Sequence, residues 1–502
     1  MTSLFDQGPP PPCPAPFNLA AFVLRHAADL PDKIALSLMG PARATRWNYA
    51  RLESTVRGIA TGLLARGLAP GDRVLMRLGN TPEFPLAFLG CIAGGLIPVP
   101  TSAQLSAPET AKIIEIVSPA LILHDPDVAC PDTDLPVVSA SELHDMAELP
   151  PADYALGDPD RPAYIVFTSG TSGVPRAVVH AHRAIWARQM MVAGWYDLTR
   201  NDRLCHAGAF NWTFTLGTGL MDPWAAGATA LIPAPGTDPA MLPLLLKRHD
   251  ATLFAAAPGI YRKLLSAPLP PLPKLRHALA AGEKLPERLR DAWREATGTE
   301  IYEAYGMSEC STFISSSPAH PARPGMLGQP QPGRRIAILD QDGVPAPRDT
   351  PGEICVGDSD PGLMLEYLGA PGATAERLHD GWFHTGDLGQ MAADGQIAYL
   401  GRADDMMNAG GFRVSPQEVE HALHDTPGLG AIAVTDVEIK PDTRVIAAFY
   451  TAETDLTEAL QTRAAETLAR YKQPRLYRRQ NGLPTGPNGK LSRRALRDGF
   501  TP

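Results

Sequence analysis

The sequence has no Cys-x-x-Cys pair, no long basic run and no uninterrupted apolar stretch of bilayer length. Each absence removes a class of protein. The six cysteines, Cys13, Cys91, Cys130, Cys205, Cys310 and Cys355, lie far apart, so neither a zinc knuckle nor a redox dithiol is signalled. Scattered thiols fit a reducing cytosol and predict a cytoplasmic protein. Lys and Arg (45) are outnumbered by Asp and Glu (54), and a net charge of -9 gives no general attraction to nucleic-acid phosphates. Met1 to Pro16 holds six prolines and no apolar segment of a secretory signal. Between Glu83 and Glu109 no charge occurs, but Gly90, Gly94, Gly95, Pro98 and Pro100 interrupt the stretch. That predicts a buried helix followed by a strand, with no membrane span.

What is present is an ordinary globular composition, 44% hydrophobic over 502 residues, enough to bury a core. Leu52, Val56, Ile59, Ala60, Leu63 and Leu64 recur at helical spacing, predicting a helix over Tyr49–Leu68. Pro70-Gly71-Asp72 then turns the chain into a short strand at Val74–Met76. The rhythm repeats at Phe84–Ala93 with Ile97–Val99, and at Ala111–Val117 with Leu121–Leu123, so an α/β architecture with largely parallel strands is expected. From Arg335 short strands and Gly/Asp turns predict a small β-rich subdomain. The last hundred residues read as a separate α+β unit, with helices over Pro416–Leu423 and Leu456–Arg470 and strands over Ala431–Val437 and Arg444–Tyr450.

The chemistry is concentrated where the apolar strand Tyr164–Phe167 runs into Thr168-Ser169-Gly170-Thr171-Ser172-Gly173-Val174-Pro175-Arg176. Glycines let backbone N–H groups approach oxygen, hydroxyls add donors and Arg adds charge, which together suit a phosphate cradle. No Walker pattern occurs, and Gly217-Thr218-Gly219 has Asp222 where a dinucleotide fingerprint needs its third glycine. On composition alone a plain Ser/Thr/Gly surface turn explains the segment equally well.

Further motifs decide between these readings. Tyr305-Gly306-Met307-Ser308-Glu309, Trp382-Phe383-His384-Thr385-Gly386-Asp387, Gly401-Arg402-Ala403-Asp404-Asp405, Gly410-Gly411-Phe412-Arg413 and the Pro484 to Lys490 loop follow in order. With the Thr168–Arg176 segment they resemble the adenylate-forming acyl-CoA synthetase superfamily over nearly the whole chain. The segments from Trp212 to Trp224 and from Ala257 to Arg262 resemble medium-chain and benzoate-type CoA ligases. The resemblance implies a large N-terminal AMP-binding domain of layered α/β subdomains plus the β-rich one, residues 1–402. A small mobile C-terminal domain, residues 403–502, would carry the catalytic lysine. The reaction implied joins a carboxylic acid to ATP as an acyl-adenylate and passes the acyl group to coenzyme A, releasing AMP and pyrophosphate.

Roles follow from the same resemblance. Thr168, Ser169, Gly170, Thr171, Ser172, Gly173 and Arg176 would hold the phosphates, and Glu309 with Thr168 would hold Mg²⁺. Gly282, Glu283, Lys284, Glu303, Ala304, Tyr305, Gly306 and Ser308 would form the adenine side, Asp387 would accept the ribose hydroxyls, and Arg402 would reach the nucleotide at the domain junction. Lys490 would act with Glu309 and Thr168 in adenylation, and Asp404 would be the hinge. Phe210, Asn211, Trp212, Ala281 and Gly306 would line the acyl pocket. With no Lys or Arg near Phe210, Trp212 and Phe214, an apolar acid is expected: medium-chain, aromatic or alicyclic. Gly410, Gly411, Phe412 and Arg413 would line the pantetheine tunnel. A basic cluster, Arg470, Lys472, Arg475, Arg478 and Arg479, either meets the coenzyme A phosphates or is a solvated face.

Implied partners are the small carboxylic acid, a second copy in a homodimer, and a lysine acyltransferase acting on Lys490. Two rivals remain at this stage: transfer to a carrier-protein phosphopantetheine in trans, and a nucleotide- or acyl-binding protein without turnover. Departures from the family pattern are Arg176 where Lys is commoner, Ala177 for Gly, Glu303 for Asn, Asn408 for a Lys of some branches, and an added Pro487.

Overall fold

The computed structural model describes residues 1–40, 43–169, 175–402, 407–409, 412–414, 416–484, 491 and 493–501. The helix-and-strand rhythm of the first third closes into a four-stranded parallel sheet, in the order Ile97–Pro100, Arg73–Arg77, Leu121–His124, Val137–Ser139. Its helices begin at polar caps. Asn48 accepts from the Arg51 amide ahead of Tyr49–Ala65, and Ser106 forms a reciprocal cap with Glu109 ahead of Ala107–Val117. The uncharged stretch is the buried helix Glu83–Ala93 followed by the strand Ile97–Pro100. Among the described residues no helix is long and apolar enough to cross a membrane.

A nine-stranded sheet forms the middle of the molecule. Thr229–Pro233, Arg203–His206, Leu253–Ala256, His277–Ala281 and Ile301–Met307 run parallel through its centre. Antiparallel strands Ser311–Ser315 and Ala44–Asn48 lie toward its two edges. In α/β sheets of this kind ligands gather beyond the carboxyl ends of the strands, which here are Ala281 and Met307. A small antiparallel sheet, Pro162–Ser169 with Pro175–Ala181 and Glu366–Tyr367, stands beside those ends.

The β-rich subdomain pairs Ile336–Leu339, Pro351–Gly357 and Trp382–Met391. Its sheet also takes in Leu4–Phe5 at the start of the chain, paired with Ile336 and Ala337. The proline-rich lead is thus preceded by an edge strand that its composition hid. At the far end, Ala431–Lys440, Thr443–Thr451 and Leu476–Arg479 form a three-stranded sheet packed by helices Pro416–His424, Thr457–Thr467 and Arg493–Asp498. The α/β, β-rich and α+β layout expected from the sequence is the one observed.

Candidate active site

One cavity of about 400 Å³ is shared by all these sheets except the outermost C-terminal one, with C-terminal helices closing its far side. Val166 to Thr168 and Arg176 come from the small sheet, Ala281, Gly282 and Gly306 to Glu309 from the central sheet, and Phe383 and Thr385 from the β-rich subdomain. Phe412, Glu418, Tyr471 and Lys472 complete the wall from the C-terminal side.

Thr168 and Arg176 pair directly across the hairpin, so both flanks of the Ser/Thr/Gly turn reach the cavity. The Arg176 guanidinium lies 5.1 Å from the Tyr367 ring centroid, and the Tyr367 hydroxyl donates to Glu309 Oε1 at 2.8 Å. Glu309 is 9% exposed and, among the described residues, forms no ion pair with Lys or Arg. A buried carboxylate left in this way suits a hard cation. Arg377 adds a second guanidinium to the lining and donates to the His384 carbonyl at 3.2 Å.

Asp387 is buried behind that wall. It accepts from the Tyr305 hydroxyl at 2.5 Å and from Tyr399 at 3.5 Å. Burial, reinforced by the Asp387 charge, pushes the Tyr305 phenol well above its usual range, so it stays a donor. Gly282, at φ +93°, lines the cavity, whereas Glu283 and Lys284 follow it off the wall. Ser308 lines it too, its carbonyl bonded to His180 Nε2 at 2.7 Å.

Tyr305 stays with Asp387 behind the wall, and three further expected residues sit elsewhere. Glu303 faces away from the cavity: Oε1 accepts the Leu285 amide at 2.8 Å and Oε2 meets Arg290 at 3.4 Å. Burial raises its carboxyl to about 7. Ala304 is in the core with Leu279 and Ala281. Phe210 is 2% exposed and packs on Phe84 with centroids 6.1 Å apart, which corrects its place in the acyl pocket. Asn211, Trp212, Ala281 and Gly306 do line the cavity. Gly170, Thr171, Ser172, Gly173, Asp404, Gly410, Gly411 and Lys490 lie outside the described residues. Ser169 ends its strand, and Arg402 pairs in register with Asp387. Arg413 lies on the strand Phe412–Val414.

Sequence reasoning missed two parts of the wall. One is polar. Thr213, Thr218 and Ser311 line the cavity beside Phe214, and behind them Arg188 grips Asp222 through Nε (2.8 Å) and Nη2 (2.7 Å). Burial alone would lower the Arg188 pKa, but the Asp222 charge more than reverses it, so the guanidinium stays protonated. Only the three-dimensional fold brings positions 188, 222 and 311 together, and no local spacing announces it. The other is the C-terminal face, where the sequence reading expected Phe412 but not Tyr471 or the ion pairs of Lys472. Phe412 stacks on Trp212 at 6.3 Å and on Tyr471 at 4.1 Å, and Lys472 Nζ bonds Glu109 at 3.2 Å and Glu418 at 2.7 Å. Lys472 is 6% exposed, so it does not join Arg470, Arg475, Arg478 and Arg479 in one solvated basic face.

A parallel sheet, an antiparallel hairpin beside its carboxyl ends that reaches the cavity through Thr168 and Arg176, a buried carboxylate and a C-terminal wall form the layout of an adenylate-forming enzyme. The AMP-binding enzyme family profile matches residues 23–368, and the chain belongs to that family. It is 29% identical over 489 residues to the 3-hydroxybenzoate–CoA ligase of Aromatoleum sp. (strain CIB), covering 92% of this chain and 93% of that protein. To the human mitochondrial acyl-coenzyme A synthetase ACSM2A it is 30% identical over 528 residues, covering 97% and 91%. Among solved structures it resembles a benzoate CoA ligase from Burkholderia xenovorans LB400 (TM-score 0.72, 25% identity, 96% of this chain and 100% of that one). It also resembles the amide bond synthetase McbA from Marinactinospora thermotolerans (TM-score 0.84, 25% identity, 97% and 100%).

Proposed function

We propose that the chain is an AMP-forming carboxylic acid–CoA ligase acting on aromatic or medium-chain acids. The observation that carries this is the convergence of Thr168, Arg176, Tyr367 and Glu309 on a cavity whose other wall is Trp212 and Phe214. A carboxylate is a poor electrophile, so its oxygen first attacks the α-phosphorus of ATP and pyrophosphate leaves. The coenzyme A thiol then attacks the acyl carbon and AMP leaves. Both steps collect negative charge, which cations and donors fixed in advance stabilise. Thr168, Arg176 and the hydroxyls of the turn hold the phosphates, and Arg377 is placed to neutralise the leaving group. The Glu309 carboxylate and Thr168 hydroxyl are the donors that would hold Mg²⁺, which when bound supplies charge neutralisation of the phosphates.

Residues 403–502 move about Asp404 between two poses on the large domain, residues 1–402. Lys490 serves adenylation, and the Gly410–Arg413 segment serves transfer to the thiol. The place of Phe412 on the cavity wall supports the second half of this reading. Six free cysteines suit a cytoplasmic enzyme.

A panel of linear, alicyclic and aromatic acids, read by AMP release, tests the proposal. Failure of every acid in ATP–pyrophosphate exchange would leave a binding protein without turnover. Offering coenzyme A, a phosphopantetheinylated carrier protein and a simple amine as acceptors identifies the second step, the amine because of the likeness to an amide bond synthetase. Lys490→Gln, which also mimics acylation of that lysine, should lower adenylation by about 100-fold. It should spare thioester formation from supplied acyl-adenylate.

A further inference from the structure

The polar part of the acyl wall is a closed circuit with one open end. Tyr196 donates its single proton to Asp222 Oδ2 at 2.7 Å, which leaves the Thr218 hydroxyl to donate to the Tyr196 oxygen at 2.8 Å. Arg188 satisfies both Asp222 oxygens and donates through Nη1 to Ser311 Oγ at 2.5 Å. Ser311 therefore accepts from a cation, which polarises its own O–H into a stronger donor. Among the described residues that proton meets only the Met191 thioether at 3.9 Å, a weak acceptor. Ser311 itself lines the cavity.

The backbone confirms that this hydroxyl is held in place against resistance. Ser311 has φ +64°, a left-handed conformation that side chains adopt only under constraint, at the register shift beside Gly306. A Cβ on Gly306 would fall 2.0 Å from the Ser311 carbonyl, so the two strands close only over glycine. Gly217 likewise leaves the notch that the guanidinium fills, since a Cβ there would lie 2.2 Å from Arg188 Nη2.

We infer that the acyl pocket selects acids carrying an oxygen substituent remote from the carboxyl group, whose lone pair accepts the hydrogen bond offered by Ser311. The inference rests on the carboxylic acid ligase reading and narrows its substrate class. Trp212 and Phe214 give the wall an aromatic surface beside Ser311, so an oxygenated aryl acid satisfies both, whereas a plain alkyl or aryl acid leaves the donor buried without a partner.

The test compares the ring isomers of hydroxybenzoate and methoxybenzoate with methylbenzoates of similar size. Turnover is read as kcat/KM for AMP release, and binding by calorimetry on the full chain. The expected result is a preference of about tenfold for one oxygenated isomer over its methyl counterpart. That ratio should collapse toward one in both Ser311→Ala and Ser311→Gly. The glycine variant suits the left-handed backbone, so loss of folding does not cloud the result. Equal use of oxygenated and methyl acids, or a preference that survives in Ser311→Gly, overturns the inference. Selective binding without any turnover sustains it and overturns the ligase reading instead, and neither binding nor turnover of any acid overturns both.

Discussion

The two walls of the cavity hold buried charge in opposite ways. Arg188 and Asp222 are 7% and 4% exposed at their side chains and belong to one lobe, locked behind a nine-stranded sheet. Lys472 and Glu109 are 8% and 9% exposed at theirs, but they come from opposite sides of the cavity. Burial alone would lower the Lys472 pKa, and Tyr471, Glu418 and Glu109 together more than reverse this. A charge that loses its partner in the first wall has nowhere to go. In the second, the proposed two-pose motion would open the wall and let water return. Equal burial thus carries different consequences, depending on whether the covering element can move.

Four substitutions sharpen that contrast. Arg188→Met strands Asp222 in the fixed wall and should lower global stability by about 3–5 kcal/mol, measured by urea unfolding of the whole chain. A second probe of the same lobe, behind the central sheet, is Glu303, whose carboxyl is raised to about 7 by burial. The unfolded chain releases that proton near the ordinary carboxylate value, so native stability falls as pH rises from there to about 7 and is flat above. Glu303→Gln should therefore gain up to about 3 kcal/mol over wild type at pH 8 and nothing at pH 4. Lys472→Met, in the movable wall, should leave the main unfolding transition nearly in place while slowing transfer from supplied acyl-adenylate by about tenfold. A main transition lowered as far as in Arg188→Met would erase the distinction between the walls. Smallest is Phe412→Ala, which removes the Trp212 and Tyr471 contacts. It should weaken transfer by about 1 kcal/mol, read as kcat/KM for coenzyme A.

Legibility in the sequence followed the range of the interactions. Strand and helix periodicity exposed the parallel sheets because hydrophobic alternation is local, and the ordered motifs located Thr168, Arg176, Gly306 and Glu309 on one cavity. Leu4–Phe5 was hidden because an edge strand of two residues has no period to read. Phe210 and Phe214 looked alike in composition, yet the turn before the helix puts one in the core and the first turn of the helix puts the other on the cavity. Glu303 looked like a nucleotide contact until its carboxyl proved tied to Leu285 and Arg290. The Arg188–Asp222–Ser311 circuit spans positions far apart in the chain, and only folding can reveal it.

Glu109 does two things at once. One carboxylate oxygen accepts the Ser106 amide and hydroxyl at 2.9 Å and starts the helix Ala107–Val117, while the other receives Lys472 at 3.2 Å. Helix initiation and lobe docking therefore draw on the same acid group. Under the proposed two-pose motion, the lobe's departure would free the negative end of that cap to rotate, and deuterium uptake at the first amides of the helix would become a clock for a motion on the other side of the cleft.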